Sequence, residues 1–185
     1  MSQRVCPWWL GYLLASPIRK LYYNPENILK PYIHEGMTVL EVGSGMGFFT
    51  LPLARLVGET GHVVCADLQE KMIRGLRKRA TRAGLINRID SRVSTPKSLC
   101  IDDLVEKVDF ALVFAVLHEV PDAKQFLVEI QRSLKKGGSL LFSEPAGHVL
   151  REAFGGTLAM AQTLGFRIVD SPKIRGSHSS LWVKD

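Results

Sequence analysis

An apolar run, Val39-Leu40-Glu41-Val42, meets Gly43-Ser44-Gly45-Met46-Gly47 and then Phe48-Phe49-Thr50, and this passage constrains the fold more than any other. Thr38 to Val42 reads as a strand. Phe48 to Val57 reads as a helix, with Pro52 in its first turn, where the missing N–H costs little. Glycines at alternate positions between them make a tight turn whose bare backbone lets a ligand approach closely. The spacing is not the G-x-G-x-x-G of a dinucleotide pyrophosphate site: position 48 is Phe and the third glycine is residue 47. A strand-to-helix turn with no ligand is the competing reading.

The alternation continues along the chain. His62 to Ala66 reads as a strand, about Gln69 to Ala83 as a helix closed by Gly84, and Arg88 to Val93 as a short strand. Val108 to Phe114 is a continuous apolar run, as expected of a strand covered on both faces. Asp122 is placed to cap a helix running to Lys135, where Gly137-Gly138 ends it before a strand from Ser139 to Phe142. Leu150 to Leu164 reads as a helix, and Phe166 to Val169 and Leu181 to Val183 as the last strands. Strands separated by helices pair in parallel through right-handed crossovers. The last two are joined by a Pro-, Gly- and Ser-rich stretch too short for a helix, so they form an antiparallel hairpin. The expected fold is α/β: a Rossmann-like, seven-stranded, mostly parallel sheet with that terminal hairpin and helices on both faces. A chain of 185 residues holds one such domain, here 36–185, preceded by an N-terminal helical or lid segment, 1–35.

From Glu41 to Gly47 the pattern E-x-G-x-G-x-G resembles motif I of the class I S-adenosyl-L-methionine (SAM) dependent methyltransferases. Val108 to Asp122, with its V-L-H-x-x-x-D turn, resembles the fourth motif of that family, and Leu134-Lys135-Lys136-Gly137-Gly138 resembles its L-K-x-G-G segment. The resemblance covers roughly residues 36 to 145 and is nearest to the small-molecule branch that includes quinone-biosynthesis C-methyltransferases. It implies SAM as cofactor, S-adenosyl-L-homocysteine (SAH) as product, and a small-molecule acceptor. It places the methionyl part of SAM on Gly43, Ser44, Gly45 and Gly47, with Glu41 meeting the cationic amine. Asp67, 20 residues after Gly47, would bind the ribose hydroxyls, and Leu68 would pack on adenine. Asp67 as a simple helix cap is the other reading. Thr95 stands where the family often has an acidic adenine contact, and Ala115 and Val116 would flank the methionyl chain. His118 is the candidate catalytic base, because its ordinary pKa suits proton transfer at neutral pH. A histidine that merely bonds loop backbone fits equally. Glu119 and Glu144 are further carboxylate candidates.

The net charge of +6 admits RNA as a partner, and much of it falls in Arg74, Arg77, Lys78, Arg79, Arg82, Arg88 and Arg92. The alternative for that segment is a helix with an apolar stripe and a solvated back. No N-P-P-Y-like turn follows the fourth strand, so DNA is not expected. A SAM-fold protein without catalysis, binding a partner, is a further alternative. No metal site is expected, since the histidines and the three cysteines lack ligand spacing. The cysteine count suggests a reducing cytoplasm, and no run is long enough to span a bilayer. Trp8, Trp9, Tyr12, Tyr22 and Tyr23 give the N-terminal segment aromatic weight, as a lid over the cofactor or as a cover for the sheet edge.

Overall fold

The computed structural model describes residues 22–185 together with Pro7, Trp9, Gly11, Ala15, Ser16 and Arg19. Of the N-terminal aromatics, Trp8 and Tyr12 lie outside the described residues. A short helix, α1 (Pro25–Leu29), precedes β1 (Thr38–Val42), α2 (Thr50–Leu56), β2 (His62–Asp67), α3 (Glu70–Arg82) and β3 (Ile89–Val93). Then come β4 (Val108–Phe114), α4 (Ala123–Ser133), β5 (Leu134–Pro145), α5 (Arg151–Thr163), β6 (Phe166–Asp170) and β7 (Ser177–Lys184).

The strands form one sheet in the order β3-β2-β1-β4-β5-β7-β6. Pairing is parallel from β3 to β5, and β7 runs antiparallel to both β5 and β6. The expected mixed sheet is therefore the one that forms. Alternating side chains supply its two faces. On β4, Ala111 and Val113 join Phe126, Leu127 and Ile130 of α4. Phe110, Leu112 and Phe114 point the other way, among Leu53 of α2 and Ile73 and Leu76 of α3. Burying each of the larger of these side chains contributes about 1.5–3 kcal/mol, and this fixes the register.

Several boundaries differ from the sequence reading, among them the start of β7, at Ser177 rather than Leu181. β5 begins at Leu134, directly after α4, rather than at Ser139. Gly137 takes a φ of 76° inside the strand, and the β4–β5 register shifts between Val108 and Phe110. The glycine pair therefore makes a bulge, not a terminator. Helix α2 begins at Thr50 instead of Phe48, because the glycine turn runs further than the apolar pattern shows.

The chain builds β1, β2 and β3 outward on one side, then returns to lay β4 against the other edge of β1. At such a reversal the loops diverge and leave a crevice beyond the carboxyl ends of the strands.

Candidate functional site

A cavity of about 520 Å³ occupies that crevice, within the usual range for small-molecule sites. Glu41, Gly43, Ser44, Gly45, Asp67, Leu68, Thr95, Ala115, Val116 and His118 all line it. Gly47 does not. All three glycines of the turn have positive φ (75°, 54° and 84°), but they serve different ends. A Cβ on Gly43 would lie 2.6 Å from Val116 Cγ2, and one on Gly47 would lie 2.4 Å from Leu76 Cδ1. These two residues allow close packing. A Cβ on Gly45 would meet nothing within 4 Å, so the bare backbone there faces open space.

Asp67 joins the loop to α3. Its Oδ2 accepts the Gly45 N–H at 2.8 Å and its Oδ1 accepts the Gln69 N–H at 2.8 Å. Each oxygen keeps a second lone pair for a ligand. Burial pushes the Asp67 pKa up, and the two amide bonds partly oppose it. Glu41 lies on the same sheet face as Val39, 3% exposed, and its Oε2 accepts the Thr50 hydroxyl at 2.5 Å. Burial pushes its pKa up to about 8; the Thr50 bond opposes this and the Asp67 charge adds to it. A carboxylate held this far out of water is poised for a cation.

Beyond β3, Thr95 reaches the cavity wall, but its hydroxyl is engaged in its own turn. It accepts the Ser98 N–H at 3.0 Å and the Lys97 N–H at 3.3 Å. Ser94 and Leu99 line the cavity beside it, and Met46, Met72 and Phe126 line it elsewhere. Sequence reading missed these. Ser94 was the nearest to being found, standing one place before Thr95 at the end of β3. Beyond β4, Ala115 adopts a φ of 56°, which costs a non-glycine residue about 1–2 kcal/mol. That turn carries Val116 onto Gly43.

His118 comes next, on the same cavity wall as Glu119 and His148. Its Nδ1 lies 2.6 Å from Glu144 Oε2, and its backbone N–H donates to Glu144 Oε1 at 3.2 Å. Glu144, at the end of β5, is 2% exposed. The Glu144 hydrogen bond is the main cause raising the His118 pKa above its ordinary value, against the opposing pull of burial. His148 follows β5 in a turn and stacks edge-on to His118, with centroids 5.8 Å apart, whereas His178 lies on β7.

The N-terminal segment reaches the cavity through Gly11, Ala15, Arg19 and Tyr23. The Arg19 guanidinium lies 4.5 Å from the Phe48 ring centroid, a cation–π contact. Tyr23 packs edge-on to Phe114 at 5.3 Å and shares a hydrogen bond with Ser177, so it also belongs to the sheet cover. Trp9 and Tyr22 are exposed.

The basic segment is less solvated than its charge suggests. Arg77 bonds Ser91, and Arg79 bonds the carbonyls of Met46 and Ala15. Arg88 bonds the Ala54 carbonyl and Arg92 pairs with Asp90 and Asp103, while Arg74 makes only an exposed pair with Glu70 one turn away. Among the described residues, no cluster of His, Cys, Asp and Glu is placed to hold a metal. No helix among them is long and apolar enough to cross a membrane.

Residues 33–171 match the model of a family described as "Methyltransferase domain". The chain belongs to this family. It is also 34% identical over 125 residues to the ubiquinone/menaquinone biosynthesis C-methyltransferase UbiE of Hydrogenovibrio crunogenus, covering 66% of this chain and 48% of that protein. The same identity and extent hold for UbiE of Escherichia coli O1:K1, with 49% of that protein covered. The chain thus spans about half the length of the curated relatives it matches. A SAM-dependent methyltransferase from Aquifex aeolicus of known structure is 25% identical, with a TM-score of 0.85 over 97% of this chain and 98% of that one.

SAM is the cofactor of this methyltransferase family, and the cavity fits it on local grounds. Gly45 leaves room where an amino-acid tail would lie on backbone. Ser44 Oγ is buried beside the Cys65 thiol, with no nitrogen or oxygen partner among the described residues. Leu68 is 39% exposed at the end of β2, an uncovered apolar surface suited to a nucleobase face.

Proposed function

We propose that this chain transfers the methyl group of SAM to a small-molecule acceptor, and that the transfer is a C-methylation like the one for which its UbiE relatives are named. The single observation that carries the reading is the meeting of Gly45, Asp67 and Glu41 at one cavity that also opens onto His118. Glu41 takes the methionyl ammonium, Gly43 to Gly45 take the tail, and Asp67 takes the ribose. Ala115 and Val116 flank the methionyl chain, and Ser94, Thr95, Leu68 and Leu99 surround the base. SAM, when bound, supplies a methyl group already activated on a sulfonium. What is left to the protein is to hold the acceptor in line, exclude water and manage a proton.

The acceptor end of the cavity is rich in aromatic surface from Tyr23, Phe48, Phe49 and Phe114, which suits a compact, largely apolar molecule. Residues 1–35 act in this reading as a covering segment on that side. RNA is not favoured, because Arg77, Arg79, Arg88 and Arg92 are committed to bonds within the chain and the UbiE relatives are named for a small-molecule pathway. A cytoplasmic setting fits the free thiols of Cys65 and Cys100.

Calorimetry with SAM, SAH and NAD tests the cofactor, and we expect SAH binding at roughly 10⁻⁶ to 10⁻⁴ M. Heat from NAD with silence from SAM and SAH would overturn the proposal. A screen with methyl-labelled SAM against metabolite and RNA pools tests the acceptor, and label appearing only in RNA would replace it.

A further inference from the structure

We propose that Glu144 is a positioning residue: it holds His118 with Nδ1–H toward β5 and the Nε2 lone pair toward the cavity, so that His118 removes a proton from the acceptor. This rests on the methyltransferase reading above and names what that reading leaves open, the chemistry the acceptor must bring.

The geometry is a two-point hold. One carboxylate oxygen accepts the His118 backbone N–H at 3.2 Å and the other lies 2.6 Å from Nδ1. Main chain and ring of residue 118 are thus fixed by a single carboxylate that is itself 2% exposed. An ionised carboxylate accepts and does not donate, so a neutral ring facing one carries its hydrogen on Nδ1 and leaves Nε2 bare. A histidine serving only to satisfy loop backbone would point a ring N–H at a carbonyl; this one spends Nδ1 on a carboxylate and remains at a cavity wall.

The proton step balances simply. The acceptor's X–H bond breaks heterolytically, the electron pair stays on X, and the proton moves to Nε2. Glu144 then faces an imidazolium, which it stabilises, and the ring later returns its proton to solvent. An acceptor handled this way carries an ionisable X–H: a hydroxyl, or a carbon whose acidity an adjacent hydroxyl or carbonyl provides. A thioether or tertiary amine gives the pair nothing to do. Other titratable groups lie close to the ring or to Glu144. Glu119 Oε1 lies 3.9 Å from Nε2, His148 stacks against the ring, and His178 stands opposite Glu144 in the β5–β7 register. Glu144 and Glu119 both raise the His118 pKa.

Long-range ¹H–¹⁵N correlation on histidine-labelled protein tests the arrangement without any acceptor, and His118→Gln identifies the His118 signals. In the wild type at high pH, Nδ1 should carry the hydrogen; a ring protonated at Nε2 instead overturns the proposal, and this measurement needs no Glu144 variant. Glu144→Gln keeps the shape but offers an N–H to Nδ1, so the tautomer should reverse and the titration midpoint should fall. An unchanged tautomer and midpoint overturn the proposal. With an acceptor from the methyl screen, the variant should lose about a hundredfold in rate while binding SAH within twofold of wild type. Its rate-versus-pH limb should move to lower pH. Wild-type protein that does not bind SAH at all overturns the methyltransferase reading, whatever the tautomer.

Discussion

The two rims of the cavity are built by different means. Under β1 and β2 the surface is main chain and carboxylate: Gly45 presents bare backbone, and Asp67 is tied to the amides of Gly45 and Gln69. Under β4 and β5 it is side chain on side chain, with His118 held by Glu144 from a strand 26 residues further on. The first rim is part of the fold's own turn, so changing it disturbs folding and cofactor together. The second is joined by a contact between side chains of separate strands and loops, so changing it should alter chemistry more than cofactor binding.

Gly47→Ala presses hardest on this comparison. A side chain there combines a φ of 84° with overlap on buried Leu76, and about 3 kcal/mol of stability should be lost in urea unfolding. Full stability with lost SAH affinity would instead move Gly47 into the ligand site. Next comes Asp67→Ala, which should weaken SAH binding by roughly 1–3 kcal/mol in calorimetry. An unchanged affinity in folded protein would remove Asp67 from the site and blur the distinction between the rims.

Glu41→Gln sharpens the contrast through pH. The carboxyl titrates at about 8 when folded, against an ordinary 4.5, so between these values the folded chain holds more protons than the unfolded one. Its contribution to stability is full below about pH 4.5 and is lost as pH rises through about 8. Melting of the ligand-free wild type across that window should show this decline, and the Gln variant should lack it. By the same linkage, SAH binding near neutral pH should release a proton, visible as a dependence of the calorimetric heat on buffer ionisation enthalpy. Equal slopes for wild type and variant would show that Glu41 does not change its protonation when the ligand binds. Smallest is Thr95→Ala. With its hydroxyl committed to the Ser98 and Lys97 amides, SAH affinity should move by no more than about 0.5 kcal/mol. A larger loss would make Thr95 a direct contact.

The same difference explains what the sequence made legible. β1 and β4 run to the residues expected, because a strand buried on both faces is a continuous apolar word with sharp ends. The glycine turn and Asp67 could be found because backbone requirements leave local marks at short spacing. β5 was cut short because Gly137-Gly138 has the composition of a stop, and only the partner strand shows that it is a bulge. Glu144 was visible as a carboxylate and His118 as a histidine, yet their pairing is a contact across strands with no local signature. The arginines are a similar case: the apolar stripe of α3 is legible at helical spacing, but the carbonyls and carboxylates that Arg77, Arg79, Arg88 and Arg92 bond are set by tertiary packing.

Arg79 carries one further consequence. Its guanidinium bonds the Met46 carbonyl within the glycine turn and the Ala15 carbonyl of the N-terminal segment, while burial depresses its pKa. A single cation, drawn partly out of water, thus ties the glycine turn to Ala15. Pulling Ala15 away would remove one of the two carbonyls that stand in for water around that guanidinium, a cost borne by any departure of Ala15 from the turn.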